Sequence, residues 1–195
     1  DHRDLRPFPT RRFSDLLPES HNFCELGFQK KSKGYENDAL RIADWLQLSE
    51  GETNEIKSFI LAWIAFNGLY GLFASINGKE GNDAEEVDYI IKELLTTDAR
   101  DIVNSSGFLL DKLEFYSVSS KGGKRNWSEE LKNERTKANM DYIKILQYTA
   151  RCIYGVRRQV FHEAPQSEDV VERARVCKLM LAPIVATCLK KFVIY

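Results

Sequence analysis

Cysteine is scarce and unpatterned. Cys24, Cys152, Cys177 and Cys188 form no Cys-x-x-Cys pair and no metal-ligand spacing, so neither a redox dithiol nor a cysteine-held metal is expected. Cys152, Cys177 and Cys188 fall on apolar helical patterns and read as buried thiols, consistent with a reducing cytoplasm. No charge of one sign dominates either. With 28 Lys and Arg against 29 Asp and Glu the net charge is -1, so nucleic-acid binding must rest on a local patch rather than on the whole surface. Strand signals are sparse, no internal repeat is apparent, and the Gly122-Gly123 loop lacks the Gly-x4-Gly-Lys-Ser/Thr spacing of a nucleotide P-loop. No signal-peptide pattern is visible, although the chain starts at Asp1 rather than Met. His2 and His21 have no partners in sequence and read as incidental.

What is present is helix. The 195 residues, 43% hydrophobic and 29% charged, suit one soluble domain with a substantial core. Residues 1–34 hold Pro7, Pro9 and Pro18, seven Lys and Arg against five Asp and Glu, and aromatics without helical period. They read as an irregular arm whose rings pack on a helical domain spanning 35–195. A first helix is expected from about Glu36 to Gln47, with Ala39, Ile42, Ala43 and Leu46 on its buried face and a break over Ser49–Asn54. Further helices are expected over Ala84–Leu95, about Asp98–Asn104, Phe108–Tyr116, Asn133–Phe161 (with Met140 on its buried side) and Asp169–Phe192. Ser117–Asn126 reads as a mobile basic loop able to touch a polyanion. The fold class is all-α, a bundle of four main helices with short extra ones.

The second helix, from about Glu52 or Thr53 to Ser75, contains the longest apolar run. Phe59–Ile76 is 18 residues without a charge, which reaches the length of a membrane span. Asn67, Gly68, Gly71 and Ser75 within it argue for a central bundle helix instead, and no membrane partner is expected. Asn67 then reads as a buried amide needing hydrogen-bond partners, either fixing helix packing or supporting a site on a neighbouring helix.

Chemistry concentrates between Cys152 and Pro165, where Arg157, Arg158 and His162 fall within six residues. At about 100° per residue, Arg158 and His162 share a helix face. Arg157 and His162 lie about 140° apart and converge only where the helix ends. Pro165 disfavours helical torsions at Ala164 and supplies that end. Two guanidiniums and an imidazole there suit a phosphate, or the charge that develops as a phosphodiester breaks. Cations are also favoured at helix C-termini on dipole grounds alone, so a purely structural role stays open.

Ile153-Tyr154-x-Val156-Arg157-x-x-Val160-Phe161-His162 resembles the signature helix of the HEPN superfamily, whose motif is Arg, four to six residues, then His. The run is most similar to the Apea-like and related bacterial branches. Upstream, Trp63-x-Ala65-Phe66-Asn67-x-Leu69-Tyr70 resembles an early helix of the same branches. The resemblance covers about Glu36 to the C-terminus. It differs at Arg158, where the family often has Asn, and at Glu163, where it often has Gly.

The resemblance implies a HEPN-like bundle and a homodimer whose two motif helices line one cleft. It implies a cytoplasmic, metal-independent endoribonuclease with no cofactor, of the kind found in toxin–antitoxin pairs and antiviral defence, with an antitoxin or other regulatory protein as a further partner. On that expectation His162 transfers the proton, Arg157 stabilises the phosphoryl oxygens and Arg158 binds RNA phosphate, with Asn67 in support. The leading alternative is a non-catalytic HEPN-like module that dimerises or binds RNA or nucleotide, favoured by Arg158 and Glu163. In a third reading the motif Arg forms an internal salt bridge. Burial of Arg157 against a carboxylate would favour scaffolding, and exposure in a basic cleft would favour the enzyme.

Overall fold

A computed structural model describes residues 35–120, 123–162 and 168–194, apart from the side chains of Glu36, His162, Val193 and Ile194. The expected arm over 1–34 and the expectations for Glu163 and Pro165 lie outside the described residues. Among the described residues there are eight helices and no strand, as expected of an all-α chain. They are α1 (Glu36–Gly51), α2 (Glu55–Ile76), α3 (Asp83–Leu95), α4 (Ala99–Ser105), α5 (Gly107–Phe115), α6 (Trp127–Arg135), α7 (Tyr142–His162) and α8 (Glu168–Ile194). α8 continues through Pro183.

Side-chain caps fix several of these starts by satisfying backbone N–H groups that a helix leaves free. Asn54 accepts from Lys57 N at the head of α2, and Asn126 accepts from Glu129 N at the head of α6. Asn82 and Glu85 form a reciprocal capping box at α3. Asp141 accepts from Lys144 N at 3.1 Å and so begins α7.

α2 is the central helix. α1 and α8 pack along it, and α3 joins them. Phe59, Phe66, Leu69 and Tyr70 are wholly enclosed, each large side chain contributing about 1.5–3 kcal/mol by leaving water. α2 has the length and hydropathy of a membrane span, yet half of that apolar stretch is buried by neighbouring helices.

Two boundaries differ from the sequence expectation. α1 continues through Ser49 to Gly51, because Ser49 and Ser58 tie the two helices together. Ser49 Oγ donates to Ser58 O at 2.8 Å, and Ser58 Oγ donates to Ser49 O at 2.5 Å. The break shrinks to Glu52–Asn54. The helix expected over Asn133–Phe161 is instead the end of α6, a turn and α7, and Met140 in the turn is exposed. The cause is Glu134, a buried carboxylate that accepts from Lys137 Nζ at 2.6 Å and from Asp141 N at 3.3 Å, folding the connection back on itself. A buried charge held by two donors costs less than one left alone.

Candidate functional site on the C-terminal half of α7

Tyr154, Arg157 and Phe161 follow one another along α7 at helical spacing, and Trp63 of α2 meets them. The Arg157 guanidinium lies over all three rings, with its carbon 5.8 Å from the Trp63 centroid, 5.9 Å from Tyr154 and 5.0 Å from Phe161. Trp63 and Tyr154 meet edge to face at 5.7 Å. Cations over aromatic faces gain about 0.5–1 kcal/mol each at exposed sites and more when desolvated. Arg157 forms no ion pair among the described residues, and its Nε is buried without a hydrogen-bond partner there. Its contacts among the described residues are aromatic, and no carboxylate pairs with it there.

Arg158, the next residue, lines a cavity of about 550 Å³ that Arg157 does not line. Trp63 and Tyr154 form one part of its wall, Trp127 another, and the start of α3 from Gly81 to Ala84 a third. Arg151 reaches the same cavity but is engaged, donating from Nη2 to Asp88 Oδ2 at 2.6 Å and to Ala84 O at 3.1 Å. Burial pushes the Asp88 carboxyl above its ordinary range, outweighing the opposing pull of Arg151. Trp127 stacks on Tyr148 at 6.4 Å, with the guanidiniums of Arg125 and Arg151 each 5.7 Å from its centroid.

The segment before α6 roofs this cavity, and the part of it that is described is tied down. Ser119 and Asn126 form an antiparallel bridge, and Ser120 N donates to Arg125 O at 2.8 Å. Trp127 N donates to Val118 O at 2.7 Å, while Val118 N donates to Ser128 Oγ at 2.9 Å. Gly155 on α7 lets this strap come close, since a Cβ there would overlap Val118. Lys121 and Gly122, at the tip of the expected polyanion loop, lie outside the described residues.

Set against protein-family models, curated proteins and solved structures, the chain matches none.

Arg157 and Arg158 are thus adjacent in sequence but differently placed, one stacked on rings and one at a cavity. α7 is described as far as His162, and the side chain of His162 is not among those described. Asn67 is the clear correction. It is exposed rather than buried, and its Oδ1 accepts from the Tyr70 hydroxyl. α2 turns its Phe59, Phe66 and Leu69 faces inward and leaves the amide outside. The amide oxygen is bonded within its own helix.

The residues that sequence reasoning did not place at a site are Trp63, Trp127, Arg151, Tyr154 and Gly155. The signal for Gly155 was available, since a glycine inside a strong helical pattern often marks close backbone approach. No group of three or more His, Cys, Asp or Glu suited to a metal occurs among the described residues. Cys152, Cys177 and Cys188 are buried, and burial pushes the Cys152 thiol up to about 12 and raises the other two as well.

Proposed function

We propose that this chain is a HEPN-like endoribonuclease, cytoplasmic and homodimeric, that cleaves RNA without a metal ion. The observation that carries the reading is Arg158. It lies at an aromatic-walled cavity with no ion pair among the described residues, one helical turn before His162 at the end of α7. A ring-lined cleft with a guanidinium unpaired among the described residues is the chemistry that single-stranded nucleic acid needs, rings for bases and a cation for phosphate.

In the reaction, the ribose 2′-oxygen attacks the adjacent phosphorus as its proton leaves. The bond from phosphorus to the 5′-oxygen breaks, and that oxygen takes up a proton. The products are a 2′,3′-cyclic phosphate and a 5′-hydroxyl. His162 serves as the proton-transfer group. Arg157, held against Trp63, Tyr154 and Phe161, stabilises the developing charge, and Arg158 grips a phosphate. Phe161 is 54% exposed beside Arg157, which supports a second copy covering the end of α7. An antitoxin or other regulatory protein is a further partner in this reading, with a role in toxin–antitoxin control or antiviral defence.

The test is cleavage of a mixed RNA panel in EDTA by wild type and by His162→Ala. Cutting with cyclic-phosphate ends that vanishes in the variant supports the enzyme. Intact RNA with a folded, dimeric wild type removes it.

One observation favours a second reading, a non-catalytic module that binds RNA or nucleotide. The Arg157 guanidinium is occupied by three rings with Nε enclosed, which leaves less of it free for a transferring phosphate.

A further inference from the structure

We propose that the groove between α1 and α2 seats the segment Phe23–Phe28 of this same chain, with Lys30, Lys31 and Lys33 crossing its acidic rim. The occupant belongs to the stretch ahead of α1, which lies outside the described residues.

The open face of α2 comes first. Leu61, Ile64, Gly68 and Leu72 fall at helical spacing along one side of α2. α1, α3 and α8 pack on its other sides, yet Ile64 is 38% exposed and Leu61 and Leu72 are only half-buried. A helix that is apolar all round is expected to be covered all round. α1 supplies the opposite wall with Trp45, half-buried, and Leu48, 57% exposed. Gly68 lies in the floor, where a Cβ would stand 3.2 Å from Ile42 Cγ1, so the two helices close beneath the groove. A hollow of about 290 Å³ lies between Trp45 and Ile64, and a second follows between Leu48 and Leu61. A contiguous apolar face of this kind marks an interaction surface, whereas a lone exposed leucine would not.

Charge and reach select the occupant. Asp38, Asp44 and Glu52 line the two hollows against one cation, Arg41, which already pairs with Asp38 at 3.4 Å. Residues 29–34 hold three lysines and no acid, so the chain leading into α1 is opposite in sign to the rim. Phe28 lies seven residues before Tyr35 at the head of α1, an extended reach of about 23–25 Å. The groove from Asp38 to Leu48 runs about 15 Å along α1, so Phe23, Leu26 and Phe28 can be delivered to it. Their rings and branched side chain suit walls made by Trp45, Ile64 and Leu72. Ile64 follows Trp63 at about 100° around α2, so the groove faces away from the α7 site. The inference does not rest on the ribonuclease reading.

The test uses the full chain. Cys24 lies within the segment, while Cys152, Cys177 and Cys188 are buried, so bimane attached to the native protein reports on Cys24. Tryptophan quenches bimane on contact, and quenching by Trp45 is expected. Trp45→Phe should abolish it. Ile64→Asp should abolish it too, by placing a charge where the rings seat. Replacing Lys30, Lys31 and Lys33 together by Glu should weaken it, because the attraction to the rim becomes repulsion. Each variant is read in a chain whose helical circular dichroism is unchanged. Without any label, Phe23→Ala combined with Phe28→Ala should make Trp45 more accessible to acrylamide, read as the difference from the same chain carrying Trp45→Phe.

Bimane emission unaltered by both Trp45→Phe and Ile64→Asp would overturn the proposal. Diluting labelled wild type into excess unlabelled Trp45→Phe chain should leave the quenching intact. Relief on dilution would give the groove to a second copy instead. Loss of quenching on adding phosphatidylcholine vesicles, with the chain recovered on them, would give it to a lipid surface. Either result removes the chain's own segment as the occupant.

Discussion

Gly155 of α7 and Val118 of the strap before α6 leave no room between them for a Cβ. Val118 is buried, stiff at χ1, and anchored through both backbone groups, its N–H donating to Ser128 and its carbonyl accepting from Trp127. Alanine at 155 improves helix propensity by about 1 kcal/mol. Overpacking a closed contact costs about 1–3 kcal/mol, so Gly155→Ala should be destabilising on balance. Val118→Ala frees the space, and the double variant should recover part of the loss. A urea-denaturation cycle over the four proteins measures the coupling, and strict additivity would show that the two residues do not press on each other.

Much of the bundle was legible. The apolar run of α2 and the stripe Val87, Ile90, Ile91, Leu94 and Leu95 of α3 both follow from local pattern. The turn between α6 and α7 was not, because it contains neither Gly nor Pro and is set by Glu134, a carboxylate buried only by tertiary contacts. Asn67 was misread for a related reason: an apolar neighbourhood in sequence does not say which face of a helix a residue occupies. Its bond to Tyr70 lies within one helix and leaves no trace in the pattern. The site divides in the same way. Arg157, Arg158 and His162 stood out by type and spacing, whereas the Trp127 wall depends on a start of α6 that the periodicity did not reveal.

Arg157→Met separates structure from chemistry at the ring cluster. Met keeps length and apolar contact with Trp63, Tyr154 and Phe161 while removing the buried, unpartnered Nε. Loss of the cation–π contacts and relief of that polar atom act in opposite directions, so stability should change by less than about 1 kcal/mol. RNA cleavage should fall by about a hundredfold or more if the guanidinium stabilises the transition state. Unchanged cleavage in a folded Met variant would remove Arg157 from the catalytic group.

Thiol reactivity tests the core around α7 and α8. Cys152, Cys177 and Cys188 are enclosed, and burial raises all three thiols, so little thiolate forms at pH 8. In a Cys24→Ser background, Ellman's reagent should label none of them in the native chain and all three in denaturant. Rapid native labelling of any one would mean that the core opens there.

Asp98 and Lys191 join the head of α4 to the end of α8. Lys191 Nζ donates to Asp98 and, at 2.5 Å, to Thr97 Oγ1, while the Thr97 hydroxyl donates to Asp98 Oδ2 at 2.6 Å. Burial alone would lift the Asp98 carboxyl, but the bonds from Lys191 and Thr97 outweigh it and hold the group below its ordinary value of 3.8. Between that lowered value and 3.8 the unfolded chain binds more protons than the folded one. The contribution is therefore complete above 3.8 and disappears as pH falls through the folded value. Both partners are partly solvated, so its size is about 0.5–1 kcal/mol. Asp98→Asn should lower stability by that amount at pH 7, and its gap to wild type should close as pH drops below about 3.8. The opposite titration of Asp88 cancels in this difference, because it is common to both proteins. Urea-midpoint measurements at constant low ionic strength from pH 7 to pH 3 decide it, and a gap that stays constant over that range would show that the ion pair adds nothing to the junction.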